Sequence, residues 1–502
     1  MDSLSAFPRR VARLVAMLVV AGTLIFAAGC GNGNGNSGGG GGGNGNFSDA
    51  SLSGQYVFSL TGIGFNQALT ASEPFSQTVV FTADGNRHLS ITVDDFDQSG
   101  VSFRLNSPPQ SGTYAINKNG TGILSFNSST YGITLIDDSH FYVIQGDVFA
   151  TASGTGEKQD TTAVSAVPSG TFVFQCHNLS ISARVGSMAV SSGNINALED
   201  FLTLGSSLPN SPTAITGSFA SAPDADGRGT FTLSDGSTFA YYMVNSSKFH
   251  FMFFSDSSST LEIGQAEKQT GGPFSTASLG TNSYVFGTSG DTISNPVGIH
   301  SAGVLTTDGA GNLSGTVDWE QDGAVNSDIS VQNTSSYSLD ATGRGKFNLD
   351  LSNGLSNQKV FWMVSPTQAY VLINSSAAIE DGTFSQQQGA PFSNASLGTQ
   401  SAFAMDGFDV AYKDRSGVLT PNGSGSLDWN QQANSFDINL GGVPSSTTTN
   451  GTYQVSSNGR VTLVVNNVSS GIVFYLSSSN SGFMVQEDGA DIGGAFVQQA
   501  SQ

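Results

Sequence analysis

The chain has little of what most enzymes use. Its 502 residues include two cysteines, Cys30 and Cys176, and five histidines, His88, His140, His177, His250 and His300. Two cysteines exclude a disulfide framework. The histidines are scattered, and no HExxH, CxxC or glycine-rich phosphate loop on a strand–helix junction occurs. Gly35-Asn36-Ser37-Gly38-Gly39 matches the pattern of a nucleophile elbow, but it lies in a glycine/asparagine tract with no strand or helix around it. Charge is also scarce, at 11% of residues, and unbalanced: 17 basic against 38 acidic side chains, a formal net charge of −21. Such a surface repels a polyanionic backbone, so nucleic acid is not an expected partner. After the first 30 residues no apolar run is long enough to span a bilayer as a helix.

Glycine (63), phenylalanine (34) and aromatics at 10% are plentiful. Turn formers with aromatic and β-branched residues between them predict many short strands. Cys176 follows Phe172 and Phe174 in alternation and reads as a buried thiol. His177 then points to the opposite face, against a Cys–His pair.

The N-terminus reads as an address. Arg9, Arg10 and Arg13 precede an apolar run from Leu14 to Phe26, then Ala27-Ala28-Gly29-Cys30. This segment resembles the lipobox of bacterial lipoproteins, with Ala27 where that family usually has leucine. The resemblance covers residues 1–30. It implies cleavage before Cys30, lipidation (palmitate among the acyl groups) at Cys30, and membrane anchoring. With Gly31 next instead of aspartate, it implies the outer membrane. Removing residues 1–29, which carry Asp2 against three arginines, takes the formal charge from −21 to −23. Residues 30–46 are Cys30 followed by GNGNGNSGGGGGGNGN over 31–46, a flexible tether with a reach of about 20–25 Å.

Repeats follow. Phe47-Ser48-Asp49-Ala50-Ser51-Leu52 recurs as Phe274-Ser275-Thr276-Ala277-Ser278-Leu279 and as Phe392-Ser393-Asn394-Ala395-Ser396-Leu397, with a diverged copy near Val164. The expected divisions are 47–160, 161–271, 272–390 and 391–502. Each copy opens with an alternating strand: Tyr56, Phe58 and Leu60; Phe172, Phe174 and Cys176; Tyr284 and Phe286; and, more weakly, Ala402 and Ala404. Hairpins follow, about Asp84-Gly85 and Asp308-Gly309, and about Asn119-Gly120, Asp226-Gly227, Thr342-Gly343 and Asn458-Gly459. The fold class expected is all-β: tandem units of about eight antiparallel strands, each an up-and-down barrel. The alternative is a run of immunoglobulin-like sandwiches.

The sharpest repeated chemistry is aspartate followed by an aromatic: Asp95-Phe96, Asp200-Phe201, Asp318-Trp319 and Asp428-Trp429. Neighbours on a strand face opposite sides, so either the aromatic packs while the aspartate holds a turn, or the pairs bind sugars or cations. Asp95, Asp97 and Ser99, and Asp318, Glu320 and Asp322, resemble the first half of an EF-hand loop and are calcium candidates. Both lack the glutamate at position twelve, where Asn106 and Ile329 stand. Asp224-Ala225-Asp226-Gly227 reads as a hairpin turn. The function expected is a non-enzymatic, membrane-anchored lipoprotein that binds or scaffolds envelope polysaccharide or protein. A small-ligand carrier using barrel cavities and a polysaccharide hydrolase are the alternatives.

Overall fold

The computed structural model describes residues 46–500, apart from 67–68, 70, 99–100, 105–108, 179–181, 204, 255–260, 293–297, 376–377, 410 and 438–439. The lipobox, Cys30 and the tether, and Ser99, lie outside the described residues.

Four antiparallel β-sheets follow one another, spanning Ser53–Lys158, Gly170–Lys268, Ser283–Gln386 and Ser401–Gln498. The second and fourth are closed eight-stranded barrels. The first closes the same way, Ser72–Asp84 pairing with both Ser53–Phe65 and His88–Gln98, while the short strand Val101–Arg104 hangs on its rim. The third is a nine-stranded sheet whose edges meet through the isolated bridges Asn312↔Ser336 and Val331↔Leu351. In every sheet the first strand pairs with the last, which removes the open edge a meander would otherwise expose.

That seam depends on glycine. A Cβ on Gly154, Gly264, Gly382 or Gly494 would lie 1.9–2.1 Å from the carbonyl oxygen of Ser59, Gln175, Gly287 or Ala404 on the first strand. Only a residue without a side chain permits so close an approach.

The interiors are filled. In the first barrel Tyr56, Phe58, Phe81, Phe126, Tyr131 and Phe141 form one cluster, with tilted and stacked rings. The second packs Phe172, Phe174, Cys176, Phe231, Tyr241 and Phe251. The third packs Tyr284, Phe347, Phe361 and Phe384, and the fourth Phe403, Trp429, Phe474 and Phe496. The recurring Phe-Ser-x-Ala-Ser-Leu segment is the plug. Its short 3-10 turn buries Phe47 and Leu52, Phe274 and Leu279, or Phe392 and Leu397 in the adjoining core. Tyr114 and Tyr453 anchor it by donating to its carbonyls, at Asp49 and Leu52 and at Asn394 and Leu397.

One phase differs from the sequence reading. In the fourth repeat the inward residues of the first strand are Phe403 and Met405, with Ala402 and Ala404 outside the core cluster. Alternation alone misleads there because Ala402 is also fully buried, against the neighbouring barrel's side.

The barrels do not hang separately. Each turns its first strands to the later strands of the next, and apolar clusters span the junctions. Val57, Val80 and Val93 meet Ala240, Tyr242 and Met252. Val173, Val185 and Leu202 meet Val360, Trp362 and Leu372. Val285, Ala302 and Val304 meet Val473, Tyr475 and Val485. The fourth barrel packs on the first through the same strands: Tyr412–Pro421 lies against Ser129–Leu135, His140–Gly146 and Ala150–Lys158. The four units therefore form a closed ring.

Candidate functional site

The Asp–aromatic pairs serve this ring. The register against the seam makes Asp95, Asp200 and Asp318 equivalent. Each is fully buried and faces the next barrel. Asp95 accepts from Arg228 and Tyr242. Asp200 takes the Arg344 guanidinium in two bonds, 2.8 Å from Nε and 2.6 Å from Nη2, and Trp362 Nε1 at 2.9 Å. Asp318 takes Arg460 likewise, at 2.9 and 2.7 Å, and accepts from Tyr475. The fork matches a carboxylate in shape and charge, which a lysine could not do. Burial raises the Tyr242 and Tyr475 hydroxyls well above the ordinary tyrosine range, and the facing aspartates add to it, so both remain donors.

The aromatic partners point the other way. Phe96 stacks on Phe75 at 5.2 Å and, like Trp319, packs half-buried on its own core. Phe201 is exposed and lies under the Arg184 guanidinium at 4.4 Å. In the fourth repeat the equivalence shifts by four residues. Gln432 stands at the joint position and donates to Gly122 O, while Asp428 is exposed and Trp429 is sealed in the core. Matching the dipeptide misplaced this copy because Leu427, not Trp429, aligns with Leu313 behind the preceding glycine turn.

Nor do the calcium candidates assemble as a loop. Asp95 and Asp97, and Asp318 and Glu320, sit on continuous strands, and Asp322 is in the hairpin turn with φ 54°. Among the described residues no group of three or more acidic, histidine or cysteine side chains is placed to hold a metal. Asp224 caps its turn, accepting from the Asp226 and Arg228 amides at 3.0 Å. The Cys176 thiol is buried and pushed far above its usual range by desolvation.

What the ring brings together instead is a cavity of about 410 Å³ at its centre, lined by all four repeats. That volume falls within the range of small-molecule sites. A second cavity of about 220 Å³ shares Ser153, Ser289, Asp381 and Asp406 with it. Three sets of register-equivalent positions supply nine of the cavity's lining residues, with Ser76, Ile263 and Gly493 completing the sets outside it. On the first strands they are Thr61, His177, Ser289 and Asp406. On the second strands they are Ser76, Ala183, His300 and Asp414. On the last strands they are Ser153, Ile263, Asp381 and Gly493. The symmetric frame thus carries asymmetric chemistry, its carboxylates coming only from the third and fourth repeats.

Burial pushes Asp414 up to about 7, and neighbouring Asp406 adds to it. Its stabilising contacts are the hydroxyls of Thr151 and Ser153. Burial brings His300 down to about 4, so it is neutral near pH 7, and its Nδ1 has no hydrogen-bond partner. His177 Nδ1 lies 3.6 Å from Asp381. Phe408 and Tyr412 meet edge to face at 5.2 Å on the fourth repeat's wall. Sequence reasoning missed these residues because no motif joins them. Aligning the repeats by seam glycine would have exposed Asp406 where the other copies have threonine, histidine and serine.

Fold and site together define a class: a four-repeat antiparallel β-barrel protein closed on itself around a central cavity. No protein-family model and no curated protein matches the chain. Among solved structures it is similar to intact Ap-TbpB with its N and C lobes (8% identity, 66% of this chain and 76% of that chain covered, TM-score 0.21). It is similar too to isotype 1 transferrin binding protein B from serogroup B Neisseria meningitidis (8%, 66% and 75%, 0.21). A vaccine-antigen mutant of transferrin binding protein B from Haemophilus parasuis Hp5 gives 9%, 66% and 75%, with a TM-score of 0.18. Among the described residues no helix is long and apolar enough to cross a membrane.

Proposed function

We propose that the protein is a non-enzymatic binding protein, tethered by lipidated Cys30 to the bacterial envelope, whose ligand site is the cavity at the centre of the ring. One observation carries this reading: every barrel interior is packed with its own side chains, whereas all four repeats contribute to a single space between them. The barrel-carrier alternative needs hollow interiors and is set aside on the same ground. The hydrolase alternative needs two carboxylates opposed across a gap. The cavity holds Asp406 and Asp414 as cross-strand neighbours on the fourth repeat's wall and Asp381, engaged with His177, on the third's.

Thermal-shift screening of the protein against a small-metabolite library tests the site. At least one compound should raise the melting temperature, and Ser289→Phe, which fills the cavity wall, should abolish that shift. Turnover of the stabilising compound, or a shift indifferent to Ser289→Phe, contradicts the reading. Metabolic labelling with palmitate tests the tether: wild type should take up label and Cys30→Ala should not.

A further inference from the structure

We infer that the outer edge of the strand Gly441–Val455, from Pro444 to Thr448, is a strand-addition site for an extended, basic segment of a partner polypeptide. This surface lies apart from the central cavity, and the inference does not rest on it.

The strand runs against Ser426–Asp437 without a register shift, from Ser426↔Thr452 to Asp437↔Gly441. On its other side Gly451–Val455 pairs with Val461–Val465, and among the described residues no second strand pairs with Gly441–Asn450. Successive residues of an antiparallel strand turn their backbone groups to alternate sides. The Gly442 amide donates to Val148 O, and Asn450 O accepts from the Asn466 amide, each at 3.0 Å, so the even-numbered residues face this outer side. Pro444 agrees, because proline fits an edge where its missing N–H faces solvent. Between those two anchors the carbonyls of Pro444, Ser446 and Thr448 and the amides of Ser446 and Thr448 point outward, with no hydrogen bond among the described residues. Ser446 and Thr448 are exposed. From Val443 to Thr449 the ledge is about 23 Å long, at about 3.3 Å per residue.

Soluble β-proteins blunt such edges, and the other repeats of this chain do so. The corresponding strand of the first repeat, Val101–Arg104, has four residues. In the second, Thr216 already exchanges bonds with Ser234. In the third, the pairing of Ala324–Val331 carries a register shift, Asp328 stands at φ 54°, and Ser327 is bonded to Arg460 and Glu487. The fourth repeat has only Pro444, at one end of its ledge. Its two strands, Ser426–Asp437 and Gly441–Val455, hold Asp428 and Asp437 and no lysine or arginine, in a chain of formal charge −21. A second copy would bring charge of the same sign to this edge. A basic extended segment is drawn to it and gains main-chain ladder bonds on arrival.

Fluorescence anisotropy on the full mature protein tests the assignment. The probes are a labelled short peptide of alternating lysine and threonine, its glutamate and threonine counterpart, and the lysine peptide with its backbone amides methylated. The lysine peptide should bind and the other two should not. Ser446→Pro combined with Thr448→Pro removes both outward amides and leaves every charge in place, so it should weaken binding at least tenfold. Ser289→Phe, in the cavity wall, should leave binding unchanged. Should the double variant fail to fold, the methylated peptide on the wild-type protein still decides. No binding of the lysine peptide, equal binding of either control peptide, or binding indifferent to the double variant overturns the strand-addition site. A dimer in analytical ultracentrifugation that the double variant dissolves would make a second copy the occupant and overturn the basic partner.

Discussion

The side-chain amide of Gln499, in the fourth repeat, donates to the carbonyls of Asn119 and Leu135 in the first, at 3.1 and 2.5 Å across more than 360 residues. The same contact links each covalent neighbour. Gln159 donates to Asp226 and Met243, Gln269 to Thr342 and Met363, and Gln387 to Asn458 and Leu476. In each case the glutamine seats on a turn glycine of positive φ: Gly120, Gly227, Gly343 or Gly459. The chain therefore ends its fourth repeat on its first as it ends every other repeat on the next.

The closing junction should nevertheless be the weakest. Where the other three have aspartate, arginine and an aromatic donor, it has Gln432, Thr121 and Thr134. It relies on small polar bonds: Thr134 to Ser416 at 3.2 Å, and Asn434 to the carbonyls of Gln145, Asp147 and Ala150 at 2.8–3.1 Å. Hydrogen exchange should show the Ser129–Leu135 and Tyr412–Pro421 strands losing protection before Thr238–Asn245 and Ser356–Ser365. Gln499→Ala should widen that gap, at a cost of about 1 kcal/mol. Equal protection at all four junctions contradicts this.

Arg344→Ala should cost about 3–5 kcal/mol, since it strands the buried Asp200 carboxylate without its cation. Adding Asp200→Asn should restore part of the loss. Denaturant melts of the single and double variants give the comparison, and simple additivity would contradict a joint of this kind.

Gly264→Ala should destabilise the second barrel by about 2–4 kcal/mol, because the new methyl would sit 2.1 Å from Gln175 O in the seam. Gly236→Ala is the control. It lies at an open turn with nothing nearby, so only its positive φ of 91° is strained, and it should cost about 1 kcal/mol.

Stability should fall between about pH 4.5 and 8. Glu320 is buried at the third–fourth junction and is pushed up to about 8 by burial and by Asp491, Asp488 and Glu487. Glu487 is likewise raised to about 8, and Asp491 to about 6. In this window the folded chain keeps protons that the unfolded chain has released, so rising pH favours unfolding until the curve levels above pH 8. Glu320→Gln should flatten the dependence and raise stability at pH 8 by about 2 kcal/mol or more. A pH profile unchanged in that variant would contradict the assignment.

Much of this was legible in the chain. Tyr56, Phe58 and Leu60, and the turns at Gly85, Gly120 and Gly309, declared strands and hairpins because the period of two and the positive-φ corner are local properties. What covers the outer face is not local. Val79-Val80-Phe81 and the run from Phe239 to Val244 are apolar on both sides because a second barrel lies against them. Read singly, such runs signal burial without naming the neighbour. Asp95, Asp200 and Asp318 were found by repetition, but their arginine partners lie 133 to 144 residues onward in the next copy. The cavity residues were hidden for the opposite reason, since function there has made the copies differ.

Small-angle X-ray scattering of a chain beginning at Phe47 tests the ring most directly. A single compact body of this length should have a radius of gyration of about 22–26 Å. A value above about 35 Å, or a distance distribution with several maxima, is what four barrels strung on linkers would give; it would contradict the closed ring and the central site with it.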